Sequence, residues 1–466
     1  MSLSRWIAAA TLLALYTLLC AAVWWRQRRR LLAQARQAQA LLHSADGVPP
    51  LLVLHASQTG QAEELALQTA QALHVAGRPV RLAALGELDR AQLAQARQAL
   101  LLVSTAGEGD APDSAVAFAR DLMAPAQGQD LTQLQFGLLA LGDRSYAQFC
   151  GFGRALDAWL QSQGAQPMFP RIEMDRGDAQ ALTQWRQQLA HLAGTADLPD
   201  WQAPDFQPWQ LAVQRCLNPG SDAHALFHLE LQPLPGHPLP DWQAGDLIQL
   251  LPQPSVDEPE PRPREYTLAS LPGEGRLQLL VRQTRQGDGQ LGLASGQLTQ
   301  HLRPGDRVAL RLRAHASFRI GDNAQRPLIL IGNGSGLAGL LAHLKARAEQ
   351  ARAGSSPAPA WLLFGERQAA HDSHYASEIS HWQQQGWLRH VDRVFSRDGQ
   401  PLRHVQQQLQ REQQRLREWV AQGAAIYVCG SLQGMAAAVD GVLREALGEA
   451  PLEALIDQGR YRRDVY

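Results

Sequence analysis

The sequence predicts two doubly wound α/β sheets separated by an antiparallel β-barrel, preceded by an apolar N-terminal run long enough to cross a bilayer as a helix. Three observations support this. From residue 51, continuous apolar runs alternate with amphipathic stretches, the rhythm of a parallel sheet covered on both faces. Between about 209 and 318 the pattern becomes short strands with Gly/Pro turns and little helix, which reads as an antiparallel barrel. After Arg326-Pro327 the β-α alternation returns. A chain of 466 residues has room for such a series of domains. Its 45% hydrophobic and 19% charged residues place it among globular rather than disordered chains. A net charge of −1 argues against any general attraction to nucleic acid.

The first element is Trp6 to Trp25, followed at once by Arg26, Arg28, Arg29 and Arg30. By the positive-inside rule the arginine end stays in the cytoplasm, so residues 1–30 are expected to be a single-pass inner-membrane anchor with the catalytic domains cytoplasmic. A cleaved signal peptide is the alternative. Only Arg5 precedes the run, and no A-x-A site ends it. Residues 31–50 read as a linker, a short helical stalk broken by Gly47-Val48-Pro49-Pro50. The four cysteines, Cys20, Cys150, Cys216 and Cys429, are scattered without a CxxC pair, so neither a disulfide framework nor a metal site is expected.

Residues 51–195 form the first α/β domain. Strand-like runs are Leu51–Ala56, Pro79–Leu82, Ala99–Ser104 and Phe136–Leu141, with helical stretches at Ala62–Val75, Ser114–Leu122 and Gly153–Gln163. Ligands of such sheets bind at the C-terminal strand ends. Three loops lie there. Ser57-Gln58-Thr59-Gly60-Gln61-Ala62-Glu63 opens a helix, where backbone N–H groups and the helix dipole favour a phosphate. No Gly-Lys-Ser/Thr occurs, so it is not a nucleotide-triphosphate loop. Ser104-Thr105-Ala106-Gly107-Glu108-Gly109 and Gly142-Asp143-Arg144-Ser145-Tyr146-Ala147-Gln148-Phe149 bring glycines that admit a flat ring and, in Tyr146, an aromatic face to stack on it.

Residues 196–208, with three prolines, read as a linker, and residues 209–320 as the barrel domain. In the strand Arg264-Glu265-Tyr266-Thr267, residues two apart share a face, so Arg264 and Tyr266 point together. A guanidinium there suits a pyrophosphate and a phenol ring suits a flat heterocycle. The turn Gly292-Leu293-Ala294-Ser295 can hold a second part of a pyrophosphate.

Residues 321–466 form the last domain, with strands at Leu328–Ile331, Trp361–Phe364, near Val391 and at Ala425–Cys429, and a helix from Leu337. Gly332-Asn333-Gly334-Ser335-Gly336 follows a strand and opens that helix, the setting of a dinucleotide-binding turn. Ser396 and Arg397, with Arg403 and His404 nearby, bring a hydroxyl and guanidinium groups of the kind that suit a phosphate dianion. The Gln-rich stretch from 400 to 415 reads as a polar helix face, and a terminal aromatic such as Tyr466 is ordinarily frayed.

These motifs, in this order, resemble those of the diflavin reductases, the family of cytochrome P450 reductase and the sulfite reductase flavoprotein. The resemblance implies a flavodoxin-like FMN-binding domain, an FAD-binding barrel and a ferredoxin-NADP reductase-type NADP-binding domain. By resemblance, FMN is bound by Ser57, Gln58, Thr59, Gly60, Ala62, Ser104, Thr105, Ala106, Gly107, Glu108, Gly109, Gly142, Asp143, Tyr146 and Phe149. Ala106 stands where some members carry a stacking aromatic, leaving Tyr146 as the main stacker. FAD falls to Arg264, Tyr266, Thr267, Gly292, Ala294 and Ser295, and NADPH to Gly334, Ser335, Ser396, Arg397 and Arg403. Thr267, Cys429 and Asp464 are implied to surround the nicotinamide and flavin N5 as a catalytic cluster, with Tyr466 the gate over the FAD ring. P450 reductases carry a helical insert before the Arg-x-Tyr strand. Here only about 57 residues separate the linker from Arg264, so the chain is a compact form.

The implied activity takes electrons from NADPH through FAD and FMN to a one-electron acceptor protein, a haemoprotein by family analogy. The alternatives are a membrane-tethered flavin relay that does not oxidise NADPH itself, and a ferric or ferric-siderophore reductase.

Overall fold

The computed structural model describes residues 50–124, 128, 130–194, 205–255, 258, 261–285 and 289–466. The chain forms two compact units, one built on the sheet begun at Leu51 and the other holding everything from Gln207 onward together with the short segments Gln58–Gly60 and Asp110–Ala117.

The first unit is a parallel sheet of β1 (Leu51–Ala56), β2 (Val80–Ala84), β3 (Gln98–Ser104), β4 (Gln135–Gly142), β5 (Gln166–Pro167) and β6 (Ile172–Asp175). Its order is β2-β1-β3-β4-β5, with β6 also pairing β4. β1, β3 and β4 are central and buried along nearly their whole length, which is why they read as unbroken apolar runs. The helix Ala179–Ala193 is capped by the Asp178 carboxylate, which accepts from Gln180 N and Ala181 N. Its buried Trp185 donates from Nε1 to Thr69 Oγ1 of the helix Gln61–Val75 at 3.0 Å. The strand order reverses between β1 and β3, so the loops after these two strands flank the crevice where such sheets bind ligands.

The second unit begins with β7 (Gln207–Cys216), β8 (Leu226–Pro233), β9 (Leu247–Leu251), β10 (Arg264–Thr267), β11 (Leu277–Arg282) and β12 (Arg307–Arg313). They are antiparallel in the order β10-β9-β12-β7-β8-β11. The Leu268–Leu279 bridge and a 2.8 Å bond from Ala269 N to Gln278 O join β10 to β11 and close the barrel. Trp209, Leu211, Leu229, Ile248, Leu268 and Leu310 fill it. No helix lies among the described residues between 205 and Arg264, as a compact form requires.

The unit continues as a parallel sheet of β13 (Leu328–Asn333), β14 (Ala360–Glu366), β15 (Leu388–Phe395), β16 (Ala425–Gly430) and β17 (Tyr461–Val465), in the order β15-β14-β13-β16-β17. Alternate positions feed two cores. Leu328, Leu330, Leu362 and Phe364 pack on one face, and Ile329, Ile331, Trp361 and Leu363 on the other.

Four features differ from the sequence expectation. Residues 461–465 form a strand rather than a frayed end, because Tyr461 is buried and the segment pairs with β16 from Ile426 to Gly430. β7 starts at Gln207, opposite Leu310, so the last two residues of the expected linker belong to the barrel, while 196–204 lie outside the described residues. The barrel domain contains a short helix, Leu293–Gly296, run into a π turn, Gln297–His301. The polar 400–415 face resolves into helices Val405–Arg411 and Gln413–Ala421, which bury Val405, Leu409 and Leu416.

The expected membrane span has no counterpart among the described residues. No helix among the described residues is long and apolar enough to cross a membrane. The longest, Leu337–Arg352, has 16 residues and carries Lys345, Arg347, Glu349 and Arg352, whereas a span needs about 20 predominantly apolar residues. The run Trp6–Trp25 and the stalk up to residue 49 lie outside the described residues.

Candidate active site

In the first unit, the hydroxyl of Ser57 is buried and accepts from Ala62 N at 3.2 Å, stapling the loop after β1 to the start of the helix Gln61–Val75. Gln58 is fixed at both ends of its amide. Its Oε1 accepts from Asp113 N and its Nε2 donates to Asp113 Oδ2, each at 3.0 Å. Thr59 and Gly60 complete the turn, Gly60 with φ 86°. After β3, Ser104 Oγ donates to Ala56 O at 3.3 Å. Thr105 N donates to Leu141 O, but its buried Oγ1 has no hydrogen-bond partner. A buried hydroxyl without a partner costs about 1–3 kcal/mol, which an acceptor oxygen on a ligand would relieve. Gly107 and Gly109 turn this loop with φ 52° and 116°, beyond Ala106.

After β4 and Gly142, Asp143 Oδ1 accepts from Ser145 N at 2.8 Å and Ser145 Oγ at 2.7 Å. Glu108 Oε2 accepts from Ala147 N at 3.1 Å, tying this loop to the one after β3. Tyr146 is half-buried between them, and burial together with Asp143 and Glu108 pushes its hydroxyl pKa up. Phe149 is placed differently. It is buried with Ala140 and Cys150, with the Arg144 guanidinium 4.4 Å over its ring, so Tyr146 is the ring left for stacking.

On the barrel, Arg264 and Tyr266 share one face of β10, as a two-residue period requires. Arg264 Nη1 donates to Arg262 O at 2.9 Å and Nη2 lies 3.5 Å from Glu258 Oε1. Tyr266 packs at the edge of the barrel core, and burial raises its hydroxyl pKa. Ser295 is buried and engaged with its own turn, bonding Thr284 N at 3.1 Å and Thr284 Oγ1 at 2.8 Å. The Gly292–Ala294 backbone is therefore what this turn offers a ligand.

The loop after β13 is the most crowded. A Cβ on Gly336 would sit 2.1 Å from Cys429 O and 2.6 Å from Gly430 Cα, so only glycine fits. Asn333 Oδ1 accepts from Ser431 N at 3.0 Å, which gives Ser431 a place as the start of the turn after β16. Beside this loop the polar cluster assembles. β17 pairs with β16 so that Asp464 lies opposite Cys429. The buried Asp464 Oδ2 accepts from Thr267 Oγ1 at 2.6 Å and from Cys429 Sγ at 3.5 Å. Burial and the Asp464 charge hold the Cys429 thiol pKa well above its ordinary value. It stays a neutral donor, not a thiolate nucleophile. Tyr466 is 53% exposed, and its hydroxyl donates to Ser335 Oγ at 3.1 Å, so the terminal ring stands over the loop behind one hydrogen bond.

Ser396 and Arg397 are fixed by their main chain, Ser396 N donating to Glu366 O at 2.9 Å and Arg397 N to Arg367 O at 2.8 Å. Arg397 Nη1 pairs with Asp222 Oδ2 at 3.2 Å in solvent. Arg403 is exposed at the head of the helix Val405–Arg411. This cationic rim fits a phosphate dianion. Sequence reasoning missed Arg282. Its guanidinium donates to the buried Glu366 Oε1 at 2.6 Å, and its Nη2 would be 3.4 Å from a Cβ on Gly334. An arginine ending an ordinary barrel strand gives no sequence signal of that placement.

The flavodoxin family profile matches residues 53–186, and the oxidoreductase NAD-binding domain profile matches residues 330–441. The chain is 27% identical to the sulfite reductase [NADPH] flavoprotein alpha-component of Neisseria meningitidis serogroup A, over 89% of each chain. It is 26% identical to that of Bacillus subtilis over 89% of each. To that of Shewanella sp. ANA-3 it is 26% identical over 92% of this chain and 91% of the relative. Relatives of this kind overturn the inner-membrane placement expected from the sequence.

Proposed function

The chain belongs to the diflavin reductase family in a compact form, and from that premise we propose that it carries electrons from NADPH to a one-electron haemoprotein acceptor. It is an NADPH-dependent flavoprotein oxidoreductase using FMN, FAD and NADPH. Two flavins in series supply the chemistry that converts the electron pair of a hydride into single electrons.

The residues divide that work. In our reading, the Ser57–Gly60 turn cradles the FMN phosphate, with the unpartnered Thr105 hydroxyl as a further donor. Tyr146 covers the ring. Arg264 and the Gly292–Ala294 backbone hold the FAD pyrophosphate, with Tyr266 against its ring. Gly334 and Ser335 receive the dinucleotide, and Arg397, released from Asp222, takes the 2′-phosphate with Ser396 and Arg403. The Asp464 carboxylate, fixed by Thr267 and Cys429, sets position and charge where the nicotinamide docks. Tyr466 yields its place by giving up one bond to Ser335.

The observation that carries this reading is the buried Thr267–Asp464–Cys429 cluster beside a glycine loop gated by Tyr466. Purified protein is expected to hold FAD and FMN in near-equal amounts, both bleached by NADPH. It should then reduce cytochrome c and a sulfite-reductase haemoprotein faster than ferric chelates. A protein that stays colourless when supplied with both flavins would end the proposal, and a preference for ferric chelates would move the acceptor to iron.

A further inference from the structure

Near the dinucleotide loop, at the C-terminal end of β14, lies a second cluster that the proposed reaction does not use. Glu366, Asp372 and His374 are all buried, and each offers a ligand atom within 4.8 Å of the others. His374 marks the cluster out. Its side chain is 1% exposed, yet neither ring nitrogen has a hydrogen-bond partner. Buried polar groups are almost always satisfied, and an exception of this kind points to an ion or water. Its Nε2 faces Glu366 Oε1 at 3.6 Å. That is too long for a hydrogen bond, and it approximates the edge of a tetrahedron of ligands about 2.0–2.1 Å from a zinc ion.

The carboxylates are prepared in the same sense. Asp372 Oδ1 accepts from Asn218 Nδ2 at 3.1 Å, and Oδ2 accepts from Ser221 Oγ and Gln368 N, both at 2.9 Å. Such outer hydrogen bonds orient metal-ligating carboxylates. Glu366 Oε1 also accepts from Arg282 Nη2 at 2.6 Å. A carboxylate has about four lone-pair sites, so this bond uses only part of its capacity.

We propose that Glu366, Asp372 and His374 form a divalent-cation site of the zinc class, with one nitrogen and two oxygen ligands and a fourth position for water. The site pins the turn from Glu366 to His374, and with it Arg367 at the rim of the dinucleotide site. The sequence gives no hint, because one histidine and two carboxylates spread over nine residues match no metal-ligand spacing.

The test is zinc titration of the EDTA-treated full-length holoprotein by calorimetry, with cobalt absorption as a second readout. About one zinc per chain should bind, with proton release and a raised melting temperature. His374→Ala should abolish binding and the cobalt band. Ser221→Ala, which only loosens Asp372, should weaken binding about 10-fold. The neighbouring variant His371→Ala, at a half-buried histidine outside the cluster, should leave it unchanged. Should His374→Ala fail to fold, Ser221→Ala carries the test. No binding above that of an EDTA-containing control would overturn the proposal. So would equal affinity in His374→Ala or in Ser221→Ala, or a His374 effect confined to pH-dependent stability without metal dependence, since the last marks a plain ion pair with Glu366.

Discussion

Both parallel sheets carry a glycine-bearing loop behind their first strand, and they treat it differently. In the first sheet the loops after β1, β3 and β4 are polar and leave a buried hydroxyl unsatisfied. Thr105 Oγ1 is left without a partner, and Tyr146 is half-buried. In the second sheet the loop after β13 is wedged against β16, with no room for a Cβ at Gly336, and its neighbouring polar groups already bond one another. The first arrangement leaves capacity for a resident ligand to satisfy. The second fixes a charge in place before any ligand arrives, which is what preorganisation for a reacting centre requires. Substitutions in the first sheet should therefore read out as cofactor affinity, and those in the second as turnover and stability.

The largest expected effect is on turnover. Asp464→Ala removes the group that holds Thr267 and Cys429, and NADPH-dependent reduction should fall about 10²–10³-fold, the usual loss for one preorganised polar group. Flavin content should not change, and loss of flavin with turnover intact would reverse the contrast. Next, Arg397→Ala should raise the KM for NADPH about 10–100-fold while sparing NADH, as expected for a charge-assisted contact of about 1.5–3 kcal/mol. Equal effects on both nucleotides would remove Arg397 from the 2′-phosphate.

Gly336→Ala tests the crowding directly and should cost about 1–3 kcal/mol in urea unfolding. Gly107→Ala in the first sheet, where the backbone sits in the left-handed region with φ 52°, should cost about 1–2 kcal/mol. A smaller loss at Gly336 than at Gly107 would break the comparison. Thr105→Val should weaken FMN binding about 5-fold, near 1 kcal/mol, and leave FAD alone.

The smallest effect is a pH dependence shared by both regions. Burial pushes Cys150 up to about 12 and holds Cys429 well above its ordinary value. Their folded pKa values lie above the unfolded one, so the unfolded chain loses these protons first. Stability from these thiols is fully present below the ordinary thiol pKa of about 8.5 and declines as pH rises above it. Cys429→Ala should flatten the melting curve against pH above that point, and an unchanged slope would show that the thiol does not contribute.

The sequence made legible what is periodic or local. Buried central strands gave unbroken apolar runs, so β1, β3, β4, β13, β14 and β16 were found within a residue or two. The polar cluster was legible only through the family resemblance, since Thr267, Cys429 and Asp464 meet through pairings of β10, β16 and β17 that no local pattern encodes. For the same reason β17 read as a loose end, as five residues holding two adjacent arginines show no apolar alternation. Phe149 was placed among the FMN-binding residues by resemblance, but the pattern around it could not show that it would turn into the core beneath Arg144. Ser295 was recognised as part of a turn, but not that its hydroxyl would be used up within it. Arg282 and the Glu366–Asp372–His374 cluster depend on long-range contacts between barrel and sheet, beyond the reach of spacing.

The bond from Thr267 to Asp464 joins residues 197 apart in the chain. Closing a loop of that length costs roughly 5 kcal/mol of chain entropy before any contact rewards it. The bond can form only once the barrel has closed beside Thr267 and the final strand has docked on its neighbour. Competence should therefore be among the last properties this unit gains on refolding, and the first lost when either half loosens. The order of the two events can be timed by comparing recovery of nicotinamide oxidation with recovery of far-ultraviolet signal after dilution from urea.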